Sequence, residues 1–347
     1  MGKKINVFEW FKYRTFYAQQ FARTSELVKL KRQQRVSISL GIPTLNEEKT
    51  IGKVVRKLRR ELMKEQPLLD EIAVIDSGSR DKTVKVAKKA GAQVFLAETV
   101  LDKKNIYRGK GENLWKSLHV LEGDIIVWLD ADIKNIDKHM ITGLLGPILT
   151  NKKIVFVKGF FQRVVKQGRK REPAYGGRTT EILVRPFVNL FFPELAGFVQ
   201  PLSGQVAGRR KFFEKIPFYS GYGVEIGHLI AIEKKFGLNS MAQTYLGELT
   251  HKNQSLEGLG KQAFGILQVM GKLISGKPIK KMVRKNTQFV SPLLTGKQYS
   301  LIAEDNPENE RKPLARNIRY KLRRIKRSVH GLLKKKQKRR FTGDKNK

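Results

Sequence analysis

Asp130 and Asp132 stand one residue apart at the end of an apolar run, "IIVWLDADI". At the end of a strand, residues i and i+2 point to the same side, so both carboxylates would face one spot. Bare, they repel each other; a divalent cation between them removes the repulsion. Hard oxygen ligands of this kind suit Mg2+ or Mn2+, held by one or two carboxylates plus phosphate oxygens. An EF-hand loop is excluded, because Lys134 and Asn135 occupy the places where it needs a ligand and a glycine. The bland alternative is that one of the acids caps the next helix. Strand-end placement favours the metal.

A diphosphate is the natural anion for such a metal to hold. No Walker A loop is present, since "GLGKQ" and "LTGKQ" lack the spacing and the hydroxyl after Lys. "GKGENL" keeps only two glycines of the dinucleotide fingerprint. Neither a P-loop NTPase nor a Rossmann dehydrogenase is supported. A nucleotide-diphosphate sugar fits, with the metal stabilising the departing diphosphate as Lewis acid and template.

The elements that must position these acids read as an α/β fold. "VSISLGI" (36–42), "EIAVID" (71–76), "AQVFLA" (92–97) and "DIIVWL" (124–129) are β-branched, apolar strands. Helical patterns lie between them, the first through Ile51, Val54, Val55, Leu58 and Leu62, the second stopped by Gly91, the third through Leu114, Leu118 and Leu121. Ser79 or Asp81 is the expected cap of the second. Alternating strands and helices with near-continuous apolar strands predict a parallel sheet covered on both faces. Ligands then bind beyond the carboxyl ends of the strands. "PTLNEE", "DSGSRD" and "DADI" each follow a strand, so all three converge on one rim. Later come "GGRTTE", "QPLSGQ" and "SGYGVEIG", a helix from about Val224 to Lys235, and a longer one over 255–275.

The 347-residue chain carries 70 Lys and Arg against 31 acids, a net charge of +39. Residues 311–347 alone hold 17 basic residues and one acid, Asp344. Such a chain attracts polyanions: nucleic acid, anionic lipid or phosphorylated metabolites. A Lys-rich surface is also a known habit of heat-adapted proteins. In the tail Leu314, Ile318, Leu322, Ile325, Val329 and Leu332 recur at helical spacing, which predicts a basic amphipathic helix with a disordered end. Residues 1–35 predict a basic helical arm packed on the body. There is no cysteine, no long apolar run and no signal-peptide pattern, and Asn6 fails the myristoylation motif. A cytoplasmic protein is expected. The expected divisions are an arm (1–35), a nucleotide-sugar half (36–155), an acceptor half (156–276) and a basic extension (277–347).

The motifs "IPTLNEEKTIGKVV", "IDSGSRDKT", "GKGENLWKSL", "GDIIVWLDAD", "GGRTTEILVRP", "QPLSGQ" and "GYGVEIG" occur in this order. Together they resemble the glucosyl-3-phosphoglycerate synthase family, retaining glycosyltransferases of the GT-A fold, over roughly residues 36–275. The early motifs speak only for a GT-A transferase; the later ones carry the family. The resemblance implies a Rossmann-like parallel sheet, followed by an acceptor-binding region and helical extensions. It implies transfer of glucose from UDP-glucose to the 2-hydroxyl of 3-phosphoglycerate with Mg2+ (Mn2+ as alternative), and a homodimer. Pro43, Leu45, Glu47, Ser77 and Lys110 should surround the nucleotide. Asp130 and Asp132 should frame diphosphate and metal, with His251 as a further metal ligand. Leu202, Tyr222 and Glu225 should line the donor sugar, and Gly177, Arg178 and Thr180 should take the acceptor's anionic groups. Asp132 and Glu225 are the residues on which catalysis should depend. Where members often carry Ser between the two acids, this chain has Ala131, which leaves open UDP against GDP and glucose against mannose.

Residue chemistry agrees with these roles. Arg178 offers a forked donor for an anion. "GGRTTE" should open a helix whose free N–H groups attract negative charge. Plain alternatives stand beside them: a surface ion pair for Arg178, core for Tyr222, a structural imidazole for His251, and helix-start preference for Glu225. Two other function classes compete. One is an enzyme of the same fold acting on a polyprenyl phosphate at a membrane; the other is a nucleic-acid or scaffold protein without catalysis. The tail suits both. The intact rim motifs argue against the second, as does the scarcity of aromatics among the tail's basic residues.

Overall fold

The computed structural model describes residues 6–101, 107–167, 170–174, 177–250, 255–274, 288–295, 298–305 and 307–325. Four parallel strands form the half of the sheet that carries the early motifs: β2 (Ile38–Thr44), β3 (Glu71–Asp76), β4 (Gln93–Leu96) and β5 (Ile125–Trp128). They belong to a nine-stranded sheet whose order is β1-β10-β6-β8-β5-β2-β3-β4, with β7 beside β6. The other members are β1 (Thr15–Tyr17), β6 (Phe156–Gln167), β7 (Lys170–Ala174), β8 (Val206–Arg209) and β10 (Met241–Leu249). β8 runs antiparallel between β5 and β6, so the sheet is mixed.

Strand side chains alternate between two cores. In β5, Ile125 and Val127 join one apolar cluster, while Ile126 and Trp128 join the other. The first cluster takes its helical partners from α2 (Thr24–Gln34), α3 (Ile51–Arg59), α4 (Thr83–Ala90) and α6 (Lys138–Thr150). The second is built on Trp10 of α1 (Val7–Arg14), α5 (Lys110–Val120), α7 (Arg185–Phe191), Phe213 of α8 (Arg210–Phe213), α9 (Val224–Phe236) and α10 (Leu256–Leu273). Burial on both faces is why the strands read as continuous apolar runs.

Some boundaries depart from expectation. β2 runs through Pro43 to Thr44, where the sequence reading stops the strand at the proline. Its register with β5 covers only Ile38–Gly41, so the missing N–H of Pro43 falls where that neighbour asks for none. Helix α4 has no side-chain cap on its N-cap residue Lys82; Asp81 instead accepts from the Thr83 amide at 2.9 Å. Gly91 ends it in the left-handed conformation, φ 95°.

The basic arm contributes more than a surface layer. Its β1 pairs parallel with β10 at the sheet edge, and Trp10, fully buried, donates to the Met241 carbonyl at 3.0 Å. At the other end, β11 (Gln288–Thr295) and β12 (Gln298–Asp305) form a hairpin ahead of the residues expected to form the basic helix. A two-residue strand, β13 (Glu310–Arg311), pairs with β9 (Phe218–Tyr219). A helix follows over 318–325, with Ile318, Leu322 and Ile325 exposed and Tyr320 buried beneath it. Val329, Leu332 and the expected disordered end lie outside the described residues.

Candidate active site

The rim is built where β2, β3 and β5 end. Thr44 donates to Asp76 at 3.1 Å, and Asp76 accepts from the amides of Gly78 and Ser79 at 3.0 and 2.8 Å. Asn46, at φ 56°, gives its amide to the Ser79 hydroxyl and takes the Arg80 amide on its side chain. The turns after β2 and β3 are therefore laced together before any ligand binds. Pro43 lies at the end of β2, Leu45 and Glu47 on the turn after it, and Ser77 on the turn after β3. Leu45 is half exposed, an apolar side chain left open at the rim. The Glu47 amide donates to Thr83, and the Ser77 hydroxyl accepts from Asn113 of α5.

The electrostatic centre is Lys110, the first residue of α5. Its amine lies 2.6 Å from Asp130 Oδ1 and 2.9 Å from Glu225 Oε1. Burial alone would pull the amine down, but the two carboxylates outweigh it and hold Lys110 well above the ordinary lysine range. It stays charged at any working pH. Asp130 Oδ2 accepts from the Gln205 amide at 3.0 Å, so both of its oxygens have partners. The crowding explains Gly204: a β-carbon there would lie 2.3 Å from the Lys110 amine and 2.5 Å from Asp130. Tyr222 is exposed on the turn that leads into α9, two residues before that helix begins, and Glu225 is buried in its first turn.

The aspartates are not arranged as strand alternation would have it. β5 ends at Trp128, and Asp130 and Asp132 lie on the turn that follows. That turn is pinned to the end of β10: the Lys134 amide donates to the Thr250 carbonyl at 3.1 Å, Asn135 donates to Glu248 at 2.8 Å, and the Thr250 amide donates to Asn135 at 3.0 Å. Thr250 immediately precedes His251, which lies outside the described residues. The chain thus brings the approach to His251 beside the Asp132 turn. Among the described residues no cluster of three or more His, Asp or Glu gathers to hold a metal. A carboxylate such as Asp132 together with diphosphate oxygens would suit Mg2+ or Mn2+.

The predicted acceptor residues form a second cluster. Gly177 is half-buried, Arg178 exposed and Thr180 buried, on a helical segment that opens at 178 and continues into α7. Helix formation after "GGR" follows the expectation. Arg185 ties this segment to the loop before β8, donating to Glu181 and to the Val199 carbonyl, both within 2.9 Å. That loop carries partly buried Leu202 and ends in Gln205, which reaches Asp130.

The sequence reading passed over several residues. Gln205 was visible only as part of a motif. Lys158, on β6, is 1% exposed within "IVFVKGFF"; a lone charge inside an apolar run was the available signal. Burial drives its amine down to about 7, with Glu225 and Asp130 pulling up and Lys110 pushing down. His228, one turn along α9 from Glu225, is likewise driven down to about 3 by burial and by Lys158, and is neutral.

The family model for glycosyl transferase family 2 matches residues 39–223. The glucosyl-3-phosphoglycerate synthase of Petrotoga mobilis is 52% identical over 257 residues, covering 74% of this chain and 79% of that protein. Among solved structures, mannosyl-3-phosphoglycerate synthase from Rubrobacter xylanophilus is similar at a TM-score of 0.79 and 31% identity, over 90% of this chain and 98% of that one. Glucosyl-3-phosphoglycerate synthase from Mycobacterium tuberculosis, solved with Mn2+, UDP-glucose and phosphoglyceric acid, gives a TM-score of 0.75 at 32% identity, over 87% and 98% of the two chains. The mycobacterial enzyme has also been solved with Mg2+ and UDP.

Proposed function

The chain belongs to the glucosyl-3-phosphoglycerate synthase family within glycosyl transferase family 2, and from that premise we propose how it works. It is a metal-dependent glycosyltransferase that moves glucose from UDP-glucose to the 2-hydroxyl of 3-phosphoglycerate, with retention at the anomeric carbon. The observation that carries the reading is the Lys110 crossing, where one amine joins the diphosphate-framing Asp130 to the sugar-facing Glu225.

In this reading the laced turns of β2 and β3 receive the nucleotide through Pro43, Leu45, Glu47 and Ser77. Lys110, held charged, supplies a fixed cation beside the diphosphate. Asp132, with His251, would hold Mg2+ or Mn2+, which supplies charge neutralisation for the departing diphosphate. Glu225, Tyr222 and Leu202 orient the donor sugar. Gly177, Arg178 and Thr180 take the acceptor's phosphate or carboxylate, the exposed Arg178 guanidinium as a forked donor. In the reaction the bond from the anomeric carbon to the diphosphate oxygen breaks. A bond to the acceptor's 2-hydroxyl oxygen forms on the same face, and the hydroxyl proton passes to the departing diphosphate. No side chain acts as nucleophile; the protein contributes placement and electrostatics.

A donor-by-acceptor panel tests this: UDP-glucose, GDP-glucose and GDP-mannose against 3-phosphoglycerate and neutral acceptors, scored by nucleotide release with and without Mg2+. Metal-dependent UDP release that requires 3-phosphoglycerate supports the reading, and release indifferent to acceptor removes it. Ala131 makes donor preference the informative axis. A homodimer is the assembly we infer, measurable by light scattering.

Ile318, Leu322 and Ile325, exposed among basic residues, favour a second reading in which the tail reaches an anionic membrane or nucleic acid non-specifically, or the acceptor is a polyprenyl phosphate. Among the described residues no helix is long and apolar enough to cross a membrane. Liposome co-sedimentation separates the two: lipid binding without loss of 3-phosphoglycerate turnover keeps the soluble acceptor.

A further inference from the structure

The family motifs leave residues 307–311 without a task, yet this segment returns to the site. β13 pairs with β9, and Asn309 and Ser220 exchange hydrogen bonds at 3.0 and 3.2 Å. Glu308 is buried, and its carboxylate accepts from the amides of Gly221 at 2.9 Å and Gly223 at 3.2 Å. These amides lie on the turn that leads into α9, the helix of Glu225, Gly223 as its N-cap. The approach is so close that a β-carbon on Gly221 would lie 2.3 Å from the carboxylate. Arg311 reaches the other helix. Its guanidinium donates to Glu112 of α5 at 3.1 and 2.8 Å and lies over the rings of Tyr107 and Trp115, 4.3 and 4.6 Å from their centres.

So one short segment grips the first turn of α5 and the turn that leads into α9. Lys110 starts α5 and Glu225 lies in the first turn of α9, and the 2.9 Å bridge between them spans the gap. Backbone contacts add to this: the Glu112 amide donates to the Ser220 carbonyl at 2.9 Å and the Gly111 amide to the Gly221 carbonyl at 3.3 Å, on the turn before α9. A buried Arg–carboxylate fork is directional, and a carboxylate on a helix's free amides fixes where that helix begins.

We propose that Glu308 and Arg311 are positioning residues for the transfer reaction: they lock α5 against α9 and so hold the Lys110–Glu225 bridge and the Tyr222 turn at donor-binding spacing. The inference rests on the reading of those three as donor-site residues.

The test uses the full chain with Arg311→Ala, Arg311→Lys, Glu308→Ala and Glu308→Gln, and with Leu322→Ser on the exposed helix face as control. Kinetics are run separately in UDP-glucose and 3-phosphoglycerate, beside UDP binding by calorimetry with Mg2+ present. The two alanine variants should raise the donor KM and the UDP Kd by the roughly 10–100-fold typical of losing a group that holds a site residue. The acceptor KM should stay within about twofold, the directly contacting groups there being untouched. Glu308→Gln, which keeps an acceptor oxygen, should recover most of the loss. Arg311→Lys should not, because a single ammonium cannot form the fork; if the alanine variant fails to fold, this variant carries the comparison. Equal rises in both KM values, or an unchanged UDP Kd in the Arg311 variants, would overturn the proposal. Wild-type protein without turnover on this substrate pair sinks the reading of the reaction instead, and UDP binding still decides the strap.

Discussion

The two clusters at the rim differ in exposure: Lys110 is largely buried between two acids, whereas Arg178 is exposed. Around the proposed diphosphate position Lys110 is held by two acids, Asp130 by Lys110 and Gln205, and the β2 and β3 turns by each other. At the predicted acceptor position Arg178 stands exposed on the first turn of a helical segment. The contrast teaches where preorganisation is worth its entropy. A departing diphosphate develops charge in the transition state, and donors fixed in advance need not reorganise to meet it. In the proposed reading, a small anionic acceptor is drawn in by the net positive charge of the protein and met by the exposed Arg178 guanidinium.

The contrast can be broken most forcefully on the donor side. Asp132→Asn should lower kcat by roughly 10²–10³, the range for losing one group that stabilises transition-state charge, and should abolish the metal response without moving the melting temperature far. An unchanged rate at saturating donor would remove Asp132 from the metal site. Lys110→Met should cost activity on a similar scale and also stability, because it leaves Asp130 and Glu225 facing each other without their shared cation; a melting temperature equal to wild type would show the bridge to be dispensable.

The acceptor side should respond differently. Arg178→Ala should raise the 3-phosphoglycerate KM by about 10–100-fold, from the loss of a charged hydrogen bond of roughly 1.5–3 kcal/mol, with the donor KM nearly unchanged. The reverse pattern would move Arg178 out of the acceptor site. Raising salt should weaken acceptor capture more than donor binding, since screening acts mainly on exposed charge.

A further effect, on stability rather than on turnover, lies beneath both clusters. Lys158 has its folded pKa depressed to about 7 from an ordinary 10.5, so between these values the unfolded chain binds more protons. Stability should therefore rise with pH across that window, as the buried amine no longer has to carry charge. Lys158→Met should flatten the rise in melting temperature between pH 7 and 10, and an identical profile would discount the buried amine.

What the sequence disclosed follows from how far its signals reach. The strand-then-polar-turn pattern is local, so β2, β3, β5 and their rim loops were legible within a residue or two. So was the helix after "GGR". The reasoning for Asp130 and Asp132 rested on strand alternation, whereas the pair lies on a turn pinned from 115 residues away by Asn135 and Thr250. No local pattern announces such a contact. The same holds for Arg311 meeting Glu112 and for Gln205 meeting Asp130. Lys158 was visible as a charge in an apolar run, but burial beside Glu225 depends on the fold of β6 against α9.

One feature of the sheet bears on the chemistry. Because β8 runs against its neighbours, the chain re-enters the layer from the rim, delivering Gln205 to Asp130 as it arrives. Between β7 and this re-entry point, the described residues 177–205 lie outside the sheet. In the proposed reading, changes within the Gly177–Thr180 segment would alter how the acceptor is held without touching the Gln205–Asp130 contact.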